Sequence, residues 1–176
     1  MLRAWNAVDP VYYHCTRLRY IRDSEQQNTL FRVRITRYKG TSVMLQDGTV
    51  IRKNDLLLKI HLHNARIFRE IEPIKSKVKR TLYIYQLVKE ALPRLAQYIV
   101  TLHNSREIKG IIGITTLNRG ANRLGFETFP IRNKIYRAYK KGTFLLIHRF
   151  ANNTSSKDPV YLFMSKGQLI NRYKTH

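Results

Sequence analysis

Carboxylates are scarce in this chain: 11 Asp and Glu stand against 33 Lys and Arg in 176 residues, a formal charge of +22 at neutral pH. A surface so short of negative charge must meet something anionic. Nucleic acid, an anionic membrane, an acidic polysaccharide and a phosphate-bearing substrate all qualify, and charge by itself does not choose among them. Cysteine is nearly absent as well. Cys15 stands alone, which excludes an intramolecular disulfide framework and every multi-cysteine zinc site and fits a reducing, intracellular setting. No stretch reaches the roughly eighteen successive apolar residues of a membrane span. The start from Met1 to Asn6 lacks the charged-then-apolar layout of a secretory signal, so neither a span nor standard secretion is expected. Also missing are a Walker loop, a GxGxxG after a strand, a GxSxG elbow, an HExxH, zinc-finger spacing and an RNP aromatic motif. The common nucleotide-binding and hydrolytic mechanisms therefore have no foothold.

What the chain does contain is enough to close a core: 43% of its residues are hydrophobic and 11% aromatic, a composition that basic disordered arms lack. The length suits one domain with an N-terminal appendage. Residues 1–22 are expected as an amphipathic helix, with Asp9 as N-cap and Pro10 at the first helical position. The remaining residues, 23–176, are expected as a single basic domain.

From Leu30 the pattern has period two. Phe31, Val33 and Ile35 alternate with Arg32, Arg34 and Thr36, as in a half-buried strand with an arginine-rich face. Val43 to Leu45 and Thr49 to Ile51 flank Asp47-Gly48, which accepts the positive φ of a tight hairpin, and Lys53-Asn54-Asp55 makes the next turn. The run from Leu56 to Asn64 then puts Leu56, Leu58, Ile60 and Leu62 on one side and Leu57, Lys59, His61 and His63 on the other. A long helix is expected from an N-cap at Ser76 towards His103, with Val78, Leu82, Tyr85, Leu92, Leu95, Ile99 and Leu102 as its core stripe and Pro93 bending it. A strand over Ile111–Leu117, a short helix closed by Gly125 and an extended Phe126–Phe129 follow. Next come a helix from Asn133 ended by Gly142, a strand over Val160–Met164, and a terminal helix opened by the capping pattern at Ser165. The fold class is α+β: a small antiparallel sheet plus a strand-helix-strand unit packed on one long helix.

Two residues apart on a strand point the same way, so His61 and His63 beside Asn64 are the best chemical candidates for an anion contact. A metal would need further ligands, and Asp55, Asp47 and Glu127 stand at no recognised spacing, so no metal and no cofactor are expected. Arg119 at a strand-to-helix junction could offer its guanidinium to an anion. In the helix after Asn133, Ile135, Ala138 and Tyr139 are expected to pack inward while Lys134, Arg137, Lys140 and Lys141 face out. That mixture of base and aromatic suits an anionic polymer, a lipid surface or a single strand of nucleic acid.

Trp5-Asn6, Asp9-Pro10, Tyr12-Tyr13, Asp47-Gly48-Thr49, Asn54-Asp55, His61 to Asn64, Leu124 to Glu127 and the Ser165 junction together resemble the YkoP-like proteins of spore-forming bacteria. Their domain also occurs attached to polysaccharide deacetylases. The resemblance implies a cytoplasmic or membrane-peripheral accessory to cell-envelope carbohydrate work and brings no catalytic role. His63 stands where that family more often has an acidic residue.

The expectation is therefore a noncatalytic protein that holds an anionic envelope polysaccharide, glycolipid or membrane surface. Arg32, Arg34, Lys53, Lys59 and His61 form one cationic patch, and Lys134, Arg137, Lys140 and Lys141 another. Two alternatives stand beside it. One is nucleic-acid binding by the same charge. The other is an enzyme on a phosphorylated or sugar substrate, with His61 as acid or base and Asp55 or Glu127 as its partner, which requires those side chains to converge.

Overall fold

The structure is a computed structural model and describes residues 19–22, 28–62, 64–116, 118, 120–150 and 158–174. Asp9, Cys15 and the rest of the expected N-terminal helix up to residue 18 lie outside the described residues, as do His63 and Arg119. The four residues that close the expected helical segment, Arg19–Arg22, form a strand instead, β1. They pair antiparallel with β2, Asn28–Arg37.

The fold is α+β. In chain order, β1 and β2 are followed by a small hairpin, β3 (Val43–Met44) and β4 (Val50–Ile51), and then by β5 (Leu56–Leu62). Two helices come next, α1 (Asn64–Ile71) and α2 (Lys77–Thr101), then β6 (Ile108–Thr115), a 3-10 turn at Ala121–Leu124 and β7 (Glu127–Pro130). The chain ends in α3 (Lys134–Phe150), β8 (Val160–Ser165) and α4 (Lys166–Tyr173). β3 and β4 form a two-stranded sheet of their own, and the other strands belong to one six-stranded sheet of order β1-β2-β5-β6-β8-β7. Parallel pairing of β5 with β6 joins its two halves. Central strands are buried on both faces, which is why Leu56 to Leu58 and Ile111-Ile112 are unbroken apolar pairs and triplets rather than alternating ones. The last strand enters between β6 and β7, so β7 ends on the edge rather than beside β6. That insertion needs a bare backbone at Gly110, where a Cβ would sit 2.4 Å from the Met164 carbonyl oxygen.

One face of the sheet carries α2 and α4 and the larger core, in which Phe31, Val33, Leu58 and Ile111 meet Leu92, Leu95, Ile99 and Leu169. The buried residues of α2 lie in its second half, from Ala91 to Ile99, while Ile84, Tyr85, Leu87 and Val88 pack against the core partly buried. Val78 and Leu82, expected in the core stripe, are exposed. A helix of 25 residues is about 38 Å long at 1.5 Å per residue, more than the sheet beneath it can cover. Ser76 caps α2 as expected, accepting from the Lys79 amide at 3.4 Å, and Pro93 is accommodated within it. The short helix α1 was not anticipated: eight residues with no acidic first turn leave little trace in a sequence.

The opposite face is covered at one end by the hairpin. Tyr38, Leu45, Ile51, Leu57, Ile112 and Phe163 form a second apolar cluster there. Gly48 takes the left-handed φ of +82° that the turn requires. Three polar ties hold the hairpin down. The Gln46 amide donates to Glu127 Oε1 at 2.9 Å, Lys109 Nζ donates to the Val50 carbonyl at 3.3 Å, and the Ser165 hydroxyl donates to Asp47 Oδ2.

Candidate functional site

Further along the second face, the apolar cluster gives way to cations. The antiparallel register of β2 with β5 sets Arg32 opposite His61 and Arg34 opposite Lys59. Alternation along both strands turns these side chains away from α2, on the same side as Leu57. A row of paired strand residues has Cβ atoms about 5 Å apart, so the register itself packs the basic groups together. Arg32 is 3% exposed and Lys59 is 8% exposed, although long cationic side chains seldom bury to this extent. Lys140 of α3 completes the group from above: its charge acts on Lys59 and His61, and Arg34 acts on it in turn.

Burial and mutual repulsion set the protonation of this group. Burial, reinforced by the charges of Lys140 and Arg34, pushes the Lys59 ammonium down to about 8. His61 is pushed down to about 3, first by burial and then by the charges of Lys59, Arg34, Lys140 and Arg32. At neutral pH His61 is therefore an uncharged imidazole with one N–H donor and one acceptor. It was expected as a member of a cationic patch; it belongs to the patch as an uncharged hydrogen-bonding group, because burial and then its four cationic neighbours disfavour the imidazolium. Burial and then Arg34 also lower Lys140. Its Nζ lies 5.6 Å from the Tyr136 ring centroid and 5.3 Å from that of Tyr139, within cation–π range.

The second expected patch divides. The helix α3 turns its faces the other way from the expectation. Ile135 is 84% and Tyr139 64% exposed, whereas Tyr136, Arg137, Lys140 and Lys141 are partly buried. An apolar stripe marks the buried face of a helix only where the opposing surface is apolar, and α3 meets the part of the sheet that bears Arg34 and Lys59. Nor does Gly142 end the helix, which continues to Phe150. A glycine at an exposed helical position costs about 1 kcal/mol, which its neighbours offset. Lys134 is exposed at the start of α3 and Lys141 pairs with Asp158 at 2.8 Å. Lys53 is exposed in the turn before β5, six residues and so roughly 20 Å of strand from Lys59. Asn64 opens α1.

The expected acid–base partners do not meet. Asp55 sits in the turn before β5, where it pairs with Lys109 at 3.0 Å and accepts the Arg52 amide at 2.6 Å. It lies at the opposite end of the strand from His61. Glu127 is on β7, three strands from β5, and holds the hairpin through the Gln46 amide. The two carboxylates are structural ties, and the convergence required of an acid–base site is not present. Among the described residues no group of three His, Cys, Asp or Glu stands where it could hold a metal ion. Among the same residues no helix is long and apolar enough to cross a membrane.

Sequence reasoning separated Lys140 from the strand cations because periodicity assigned it to an outer helix face. Tyr136 was read there as one of the aromatics interleaved with base from Arg132 to Lys141, a stacking surface rather than a neighbour of the strand cations. The only sequence trace of their role is the four-residue spacing that stacks Tyr136 under Lys140 on one side of the helix.

Comparison with known proteins places these features in a family. The model described as the YkoP domain matches residues 1–173. The uncharacterized protein YkoP of Bacillus subtilis (strain 168) is 44% identical over 177 residues, a match that covers 98% of this chain and 96% of that protein. No solved structure matches.

Proposed function

The chain belongs to the YkoP family, and we propose that it is a noncatalytic accessory protein that holds an anionic partner of the cell envelope, a polysaccharide, glycolipid or membrane surface, on the second face of its sheet. The observation that carries this reading is the gathering of Arg32, Arg34 and Lys59 with Lys140 over them. Folding such a group repels itself and strips water from charges, so it is retained at a cost to stability that an anionic partner offsets. The resemblance to a domain attached to polysaccharide deacetylases supplies the envelope context. The alternative of an acid–base enzyme lacks its geometric premise, since His61 meets neither Asp55 nor Glu127.

The test is retention of the purified protein on anionic liposomes, an acidic cell-wall polymer, single-stranded DNA and duplex DNA across a salt series. One envelope partner should be held at near-physiological salt, and the double variant Arg34→Gln with Lys140→Gln should weaken that retention by about tenfold or more. The control pair Lys53→Gln with Lys134→Gln should retain it. Equal, salt-labile binding to every matrix would refute the proposal. One feature favours a nucleic-acid reading, the exposed Tyr139 ring with Lys140 against it, which resembles a base-stacking platform. Selective, salt-resistant retention of single-stranded DNA would establish that reading instead.

A further inference from the structure

Building on that reading of the same site, we infer that the second sheet face seats one compact oxyanion with the chemistry of a terminal phosphate, held over Lys59 between Arg34 of β2 and Lys140 of α3. The first ground is the state of Lys59. The residue is 8% exposed, and the ion pairs of Arg66 with Glu70, Lys109 with Asp55 and Lys141 with Asp158 do not involve it. The charges that act on it are those of Lys140 and Arg34, both cations. A lysine packed among cations with little of its surface in water is stabilised more by an anion seated against it than by a diffuse ion atmosphere.

The second ground is the match of charge and donors. Arg32 and Arg34 are permanently charged and also make contacts within the fold, while Lys59 and Lys140 carry three N–H donors each. A carboxylate brings a single charge and two oxygens to such a set. A phosphate monoester or the free ion brings three terminal oxygens and a charge approaching two at neutral pH, which is the better fit to guanidinium forks beside ammonium groups. A backbone phosphodiester, with one charge and two free oxygens, matches the set no better than a carboxylate. Neutral His61 adds no charge to the site. The third ground is the wall beside the site: Leu57, Ile112 and Phe163 are buried along the same face, and an apolar border strengthens every charge-assisted hydrogen bond next to it.

The site should also depend on pH. Lys59 holds its proton up to about 8, and Arg34, Arg32, His61 and Lys140 are the titratable and charged groups facing it from β2, β5 and α3. Occupancy is therefore full at neutral pH and declines as Lys59 deprotonates, while the bound anion itself shifts that point upward.

The probe is inorganic phosphate at millimolar concentration, with chloride at matched ionic strength, read as the shift in thermal midpoint and as a titration of intrinsic tyrosine fluorescence. The wild-type protein should show a saturable rise of several degrees at neutral pH, with a much smaller rise well above pH 8. Lys59→Met should raise the midpoint without phosphate and abolish the response to it, and Lys53→Met should behave as wild type. Should Lys59→Met fold poorly, Lys140→Gln tests the same point from the helix, with an affinity for phosphate about tenfold weaker. Vesicles of phosphatidylcholine doped with phosphatidic acid or, at equal surface charge, with phosphatidylglycerol separate a lipid source of the phosphate from a soluble one. Preference for phosphatidic acid that free phosphate competes away supports the site with a lipid source; saturable phosphate protection with no vesicle or polymer retention supports the site and defeats the envelope reading. A rise that does not saturate, or that Lys59→Met shares, overturns the site. Envelope retention that Lys59→Met leaves intact, without phosphate protection, also overturns it and leaves the broader reading standing.

Discussion

At the scale of the residue, Lys59 is the most informative side chain in the described molecule, since no structural need explains an ammonium 8% exposed beside two arginines and a second lysine. Its ordinary value of 10.5 falls to about 8 on folding. The folded state therefore gives up the proton earlier than the unfolded chain, and the stability linked to this group is complete above pH 10.5 and is lost as pH falls to about 8. Below that the full penalty, on the order of 3 kcal/mol for a shift of this size, is present. Lys59→Met should thus stabilise the protein at pH 7 in the absence of anions by roughly 1–3 kcal/mol. The gain over wild type should shrink between pH 8 and 10.5; denaturant unfolding of both proteins at pH 7 and pH 10 measures it. A variant less stable than wild type at pH 7 would mean that Lys59 is a packing residue. That Lys59 and His61 share a side of a strand was readable from alternation. That Lys59 is buried, and that His61 is neutral, was not, because burial depends on what lies above the strand.

At the scale of the element, four of the residues that carry the family resemblance, Asp47, Asp55, Glu127 and Ser165, hold the hairpin and the turns at the ends of the sheet. Asp47 accepts from Ser165 and from the Thr49 amide at 2.9 Å. Burial opposes its ionisation, yet the hydrogen bonds from Ser165 and Thr49 keep its carboxyl below the usual range. Ser165 also accepts the Gln168 amide at 2.9 Å as the N-cap of α4. Ser165→Ala removes the cap and the tie at once and should destabilise the protein by about 1–3 kcal/mol, with the midpoint of urea unfolding as the measurement. Asp47→Ala should account for only part of that loss, since it leaves the cap in place. Equal losses from the two variants would show that the cap contributes nothing. Both local signals were legible in the sequence, the Asp47-Gly48 turn and the Ser165 capping pattern, because each is written within a few residues. The hydrogen bond between them spans 118 residues, and no periodicity reports contacts over that separation. The inverted facing of α3 was hidden for a related reason: the choice between its two faces is made by the sheet, not by the helix.

At the scale of the whole molecule, +22 on 176 residues makes self-repulsion a standing opponent of the fold. Raising sodium chloride from about 10 to 300 mM shortens the Debye length from roughly 30 Å to below 8 Å. The thermal midpoint should rise by several degrees over that range, most steeply at its lower end; a flat response would mean that the surface charges are already balanced within the fold. The sequence by itself determined the α+β class, the strand alternation, the hairpin, the caps of α2 and α4 and the excess of positive charge, all of which follow from spacing and composition. Only the tertiary structure decided that six of the strands form one sheet through the parallel β5–β6 pair, that Asp55 and Glu127 stand apart from His61, and that Lys140 joins Arg34 and Lys59. Those outcomes depend on register, on which surface each helix meets and on desolvation by neighbours distant in the chain, quantities that exist only once the chain has packed.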